Sequence, residues 1–227
     1  MKKIFTLVLV ISVGIVLFAY DNVYSDIEEA LKISEIEKKI TIMVFSSKSC
    51  VYCDKLRNET FNDEKVVELF DAGYNVVEIF PEDKDVNFTI NDQEINSNYS
   101  QLSSIFGVRG TPSMFFVNSD NQILTNVPGF VPADSFIPIL QFLGSGAYLT
   151  SDYQTFSSEE SDYIGENLII EINEQDLNYI LENDRNSVLY ENIAENIDVY
   201  KTIIVDNKNI AEELIDKGVY RVLLNIE

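Results

Sequence analysis

The only two cysteines of the chain stand three residues apart, in Ser49-Cys50-Val51-Tyr52-Cys53. They follow the apolar run Thr41-Ile42-Met43-Val44-Phe45 and precede a charged, helix-forming stretch. A strand, a short polar loop and a helix opening at a Cys-x-x-Cys pair form an arrangement suited to thiol–disulfide exchange. The first thiol then lies at a helix N-terminus, where unpaired backbone N–H groups and the helix dipole favour a thiolate. The second lies one turn along the same face, within disulfide-bonding reach. Lys48 is either a charge that lowers the neighbouring thiol pKa or an ordinary solvated loop lysine.

Other uses of the pair can be weighed. A structural zinc site needs about four ligands, mostly Cys or His. With no His and no third Cys, the chain cannot supply them, so no metal is expected. A purely stabilising disulfide would close a loop of four residues. So short a loop removes little entropy from the unfolded chain. Two unrelated buried cysteines remain an open alternative at this point.

The 227 residues are 46% hydrophobic, enough for one large domain or two small ones. A formal net charge of −22 argues against binding nucleic acid or an anionic membrane through a basic patch. Met1-Lys2-Lys3 and the apolar run Ile4 to Ala19 have the layout of a secretory signal, with residues 1–25 as signal peptide or N-terminal anchor. Cleavage would fall after Ala19 or after Ser25. An uncleaved anchor would be the only membrane attachment. Either way the chain is expected to be exported, to the periplasm or another extracytoplasmic space, where disulfides persist.

The elements that must position the cysteines read as follows. Asp26 to Lys39 has an amphipathic helical stripe, and the strand to Phe45 and the Cys helix to about Glu59 follow. Asn62-Asp63 caps a helix holding Val66, Val67, Leu69 and Phe70, and Tyr74 to Phe80 is a second core strand. An insert runs from Glu82 to about Asn96; its Val86 to Ile90 segment alternates apolar and polar and then meets Asn91-Asp92, as an edge strand or hairpin would. Ile95 to Phe106 is expected as a helix ended by Gly107. Then come Val108-Arg109-Gly110-Thr111-Pro112, a strand from Ser113 to Val117, an antiparallel partner from Ile123, and a closing helix from Phe136 to Leu143. The order β-α-β-α-β-β-α, with a helix in front, predicts an α/β fold with a mixed sheet covered by helices on both faces.

With Cys50-Val51-Tyr52-Cys53 and Gly110-Thr111-Pro112 both placed, the segment from about Asp26 to Tyr153 resembles the thioredoxin superfamily, which implies a thioredoxin-like domain over residues 26–157. The likeness is nearest to exported thioredoxin-related proteins of the SoxW type, through Val44-Phe45, Cys50, Tyr52-Cys53, Lys55-Leu56, Val108, Gly110-Thr111-Pro112 and Phe116. The resemblance implies a thioredoxin fold in which Cys50 is the nucleophile and Cys53 the resolving thiol. Pro112 would be a cis-proline facing them, with Gly110 and Thr111 beside it and Thr111 offering backbone groups to an extended substrate segment. The other reading of Thr111-Pro112 is an ordinary trans turn into a strand. Tyr52 either shapes the substrate surface or simply packs. The chain departs from the pattern at Val51, often Pro or Gly in relatives, at Ser49 in place of Trp, and at Val44, where thioredoxin proper buries an aspartate.

Gly144 to Ser161 is polar and rich in Gly, Ser and Thr, as a linker would be. Residues 161–227 follow a second βαβαβ pattern, expected as a small non-catalytic α/β domain. It has a weaker likeness to the rhodanese fold through Ile170 to Leu177, Ile203-Ile204-Val205 and Gly218 to Val222. Asp206 to Asn209 occupies the loop where the sulfur-carrying cysteine would lie. The expected function is an exported thiol–disulfide oxidoreductase reducing protein disulfides, with an upstream thiol electron donor as second partner and no cofactor. The rival readings are a disulfide oxidase or isomerase, and a thioredoxin-like binding module with a permanent disulfide.

Overall fold

The computed structural model of the chain describes residues 20, 22–193 and 196–226; the apolar leader of residues 4–19 lies outside these. The first elements are β1 (Val23–Tyr24), α1 (Ile27–Glu37) and β2 (Ile40–Phe45). Helix α1 starts where the Asp26 side chain accepts from the amides of Glu28 and Glu29, which would otherwise lack partners. The Cys helix is α2 (Val51–Lys55), continued by a π-helical turn over Leu56–Thr60. Helix α3 (Glu64–Gly73), capped by Asp63, leads into β3 (Tyr74–Ile79). The hairpin β4 (Asp85–Ile90) and β5 (Gln93–Asn98) precedes α4 (Tyr99–Ile105). Strands β6 (Ser113–Val117) and β7 (Ile123–Pro128) and helix α5 (Ala133–Gly144) complete this half of the chain.

The sheet runs β1-β3-β2-β6-β7, with β1, β3 and β2 parallel and β6 antiparallel to both β2 and β7. Nearly every residue of β2 is buried, as a central strand flanked by helices on both faces requires. Met43, Phe45, Val77 and Phe115 meet α1, α4 and the hairpin on one face. Ile42, Val44, Val76 and Phe116 meet α3, α5 and Leu56 on the other.

Three local features differ from the sequence reading. Ile95 to Asn98 is strand, and the helix begins only at Tyr99. Asn91 and Asp92, both with positive φ (49° and 60°), form a two-residue turn that commits the following residues to pair with β4. Strand β1 was not anticipated, since two residues show no periodicity. The segment after α5 is folded and packed: it holds a 3-10 turn at Ala147–Leu149 and the short helix α6 (Tyr153–Phe156). The rings of Tyr148, Tyr153 and Phe156 pack on Phe142.

The remaining chain builds a second, all-parallel sheet. Its elements are β8 (Leu168–Ile172), α7 (Glu174–Asn183), β9 (Ser187–Leu189), β10 (Thr202–Val205), α8 (Lys208–Asp216) and β11 (Arg221–Asn225), with strand order β8-β11-β10-β9. Helix α8 covers one face through Ala211 and Leu214. On the other face Ile172, Ile204 and Leu223 meet Ile180 of α7 together with Ile33 and Ile36 of α1. Helix α1 therefore serves two cores: Ile27, Ala30 and Leu31 face the first sheet, Ile33 and Ile36 the second.

Polar contacts reinforce this junction. Arg221 Nη2 donates to the Ala72 carbonyl at 3.1 Å, and Lys39 Nζ to Thr202 Oγ1 at 3.5 Å. Ala72 and Lys39 lie just before β3 and β2, at the ends of those strands opposite to the cysteines. No helix among the described residues is long and apolar enough to cross a membrane.

Candidate functional site

Strand β2 runs out at Phe45, and the Ser46 amide still donates to the Ile79 carbonyl at 2.9 Å before the chain leaves the sheet. Ser47 to Ser49 form a tight loop closed by the Cys50 amide on the Ser47 carbonyl. Cys50 is the N-cap of α2, with extended backbone (φ −87°, ψ 97°). Its Sγ accepts a hydrogen bond from the Cys53 amide at 3.0 Å, in the way a Ser or Asp cap would. The same contact favours negative charge on that sulfur.

Cys50 and Cys53 are joined as a disulfide with a Cα–Cα separation of 5.2 Å. Their surroundings are unequal. Cys50 is half-buried, whereas Cys53 is only 1% exposed. A partner molecule can reach the first sulfur and not the second.

The loop before β6 arrives beside the cysteines because of strand register. Phe45 pairs with Ser113 in the antiparallel ladder, and continuing that register by two residues sets Ser47 against Thr111. Their hydroxyl oxygens lie 3.4 Å apart. The Thr111–Pro112 peptide is cis, and the Pro112 carbonyl accepts from the Gly129 amide at 2.8 Å. Ser113 Oγ donates to the Gly110 carbonyl at 2.8 Å. A cleft of about 470 Å³ runs along this loop, lined by Gly107 to Ser113 and, across it, by Phe115, Asn126, Pro128 and Gly129. The structure thus brings Cys50, Cys53, Gly110, Thr111 and Pro112 to one end of the central strands.

Tyr52 points outward, 62% exposed beside Val51 at 76%. Its ring lies 6.4 Å from that of Phe130, over which Lys55 Nζ also sits at 4.6 Å. Phe130, from the loop after β7, carries no sequence signal for this role, since its partners are over seventy residues away.

Beneath α2, Val44 is buried, and directly beside it in the parallel ladder stands Glu78. The Glu78 side chain, 14% exposed, is ion-paired with Arg57, which also pairs with Asp54. A carboxylate therefore does lie under the Cys helix, on the strand next to the one where the sequence reading looked for it. Among the described residues, no three His, Cys, Asp or Glu side chains converge to hold a metal ion.

Residues 27–144 match the family described as thioredoxin-like domain. Among solved structures, the chain is similar to a thioredoxin-fold protein from Helicobacter pylori, with 17% identity over 70% of this chain and 98% of that one (TM-score 0.47). It is also similar to a thioredoxin from Thermus thermophilus, with 20% identity over 61% and 96% (TM-score 0.43). A third is the C-terminal domain of DsbD from Neisseria meningitidis in its oxidised form, with 22% identity over 51% and 93% (TM-score 0.37). No curated protein matches the chain.

Proposed function

This chain belongs to the thioredoxin-like domain family, and on that premise we propose that it is an exported thiol–disulfide oxidoreductase that reduces protein disulfides. The observation that carries the reading is the asymmetry of the pair: an accessible Cys50 with a backbone N–H aimed at its sulfur, and a shielded Cys53 one turn away.

In the reduced protein, the Cys50 thiolate attacks one sulfur of the substrate disulfide. A Cys50–substrate bond forms, and the other substrate sulfur leaves with the electron pair and takes up a proton. Cys53, once deprotonated, attacks Cys50 Sγ. The Cys50–Cys53 bond forms and the second substrate thiol is released. Two electrons have passed to the substrate, and a thiol donor must restore the dithiol. Thr111 and Pro112 border the cleft in which the substrate segment lies.

Cys50→Ser is expected to abolish reduction of a protein disulfide, and Cys53→Ser to accumulate a mixed disulfide at Cys50. The potential of the pair should lie nearer about −270 mV than about −120 mV. Faster alkylation of Cys53 than of Cys50 near neutral pH overturns the assignment, and a potential near the upper value overturns the direction.

Export is supported by the basic start and apolar run of residues 2–19. Processing after Ala19 is favoured over processing after Ser25, because Val23 and Tyr24 pair with Val76 and Val77 in the sheet. N-terminal sequencing of the exported protein should therefore read Tyr20 first. A mature chain starting at Asp26 would refute this choice. In this reading the C-terminal unit is non-catalytic, since residues 161–227 hold neither Cys nor His.

A further inference from the structure

We infer that the dithiol face is built for a partner whose disulfide-bonded cysteine sits in an acidic, extended stretch of chain; this rests on the thiol–disulfide reading above and adds the chemistry of the substrate. The starting observation is a local reversal of charge. The whole chain carries −22. Yet the two loops that meet at Ser47 and Thr111 each present a cation, Lys48 next to Ser47 and Arg109 two residues before Thr111.

Both side chains belong to exposed residues, and among the described residues neither has an ion pair or a hydrogen bond. The acidic groups on and under the Cys helix are already occupied: Asp54 and Glu78 by Arg57, and Glu59 by Lys55. No acidic residue lines the cleft beside Pro112. Glu82 and Asp83 are exposed in the loop after β3 and do not line the cleft.

A segment lying along the cleft, with its cysteine at Cys50, passes between the loops that carry Arg109 and Lys48. Carboxylates flanking that cysteine would meet both cations, while lysines there would meet uncompensated like charge. Repulsion from the rest of the acidic surface does not cancel this preference. At physiological ionic strength charges further than about 8 Å are largely screened, whereas contacts at the cleft are not.

The test uses the full-length protein, reduced beforehand, and three disulfide-bonded peptides identical except for acidic, neutral or basic residues flanking the cysteine. Single-turnover rates of mixed-disulfide formation are measured at physiological salt, with 2-hydroxyethyl disulfide as an uncharged control. An exposed charge pair changes a rate by roughly threefold. The acidic peptide should accordingly react on the order of tenfold faster than the basic one through two such pairs. The Lys48→Glu/Arg109→Glu double variant should invert the ranking, an outcome that misfolding cannot imitate. Equal rates for the three peptides, or a ranking the double variant leaves in place, overturn the inference while reduction of the uncharged control leaves the thiol–disulfide reading standing. If neither the peptides nor the control is reduced, that reading falls and the inference with it.

Discussion

Lys39 Nζ lies 3.0 Å from Glu37 Oε2, and neither side chain meets solvent. The two residues flank Lys38, whose left-handed backbone (φ 55°) turns the chain from α1 into β2. The second sheet closes over them, with Thr202 within reach of Lys39 and Arg221 close to Glu37. A buried ion pair adds little net stability, but removing one partner strands the other's charge. Lys39→Met is expected to cost about 3–5 kcal/mol in urea denaturation. A loss below about 1 kcal/mol, the range of surface pairs, would mean the pair is hydrated.

Truncation after Ser157 removes the cover from Ile33, Ile36 and this ion pair. Each uncovered isoleucine forfeits about 1.5–3 kcal/mol, so the shortened protein should unfold at clearly lower denaturant concentration. Its cysteine chemistry should survive in the folded fraction, because the dithiol lies at the other end of β2. Unchanged stability would show that the two sheets do not share α1 in solution.

Asp184, between the two units, gives the junction a pH dependence. Burial, with the Glu37 charge adding to it, pushes its carboxyl up to about 7, against Lys39, the Asn186 amide and the Tyr24 hydroxyl. An unfolded aspartate titrates near 3.9. Between those values the folded state binds more protons, so this group's contribution falls as pH rises through the interval. Asp71, raised to about 6 by burial, acts in the same direction. Glu37 acts oppositely: burial would raise it, but Lys39 holds it below the usual carboxylate range, so its contribution is lost in stronger acid. Stability should fall from about pH 4 to pH 7 and level off above that, by at most roughly 1.4 kcal/mol per unit for one group. Asp184→Asn should flatten that limb, and an equally steep limb in the variant would exclude Asp184 as its source.

Glu78 sits beside Val44 under the Cys helix, and Cys53 must lose a proton before it can resolve a mixed disulfide. With an apolar side chain at position 44, the Glu78 carboxylate in the neighbouring strand is the one to test as the acceptor of that proton. Glu78→Gln should slow release of the mixed disulfide on the order of 10²-fold, the usual lower range for a general base. Alkylation of Cys50 is the internal comparison, since it needs no such base. Equal slowing of both reactions would point to a structural role for the Arg57–Glu78 pair instead.

What could be read from the chain alone was whatever local hydrogen bonding and periodicity determine. Cys50 and Cys53 fall where a strand gives way to a helix, Asp63 caps the next helix, and the alternation from Val86 to Ile90 marks one arm of a hairpin. The two-residue β1 escaped because so short a segment has no period, and the strand over Ile95 to Asn98 escaped because only its pairing with β4 makes it one. Tertiary structure alone decided that Ser47 meets Thr111, that Phe130 lies against Tyr52, and that Glu78 rather than residue 44 supplies the carboxylate under α2. It also divided the apolar stripe of α1 between two sheets, Leu31 to one and Ile33 and Ile36 to the other. The physical reason is common to all four. A residue's type and spacing constrain its own helix or strand, whereas register and docking are set by contacts between segments far apart in the chain, and those exist only once the strands have paired.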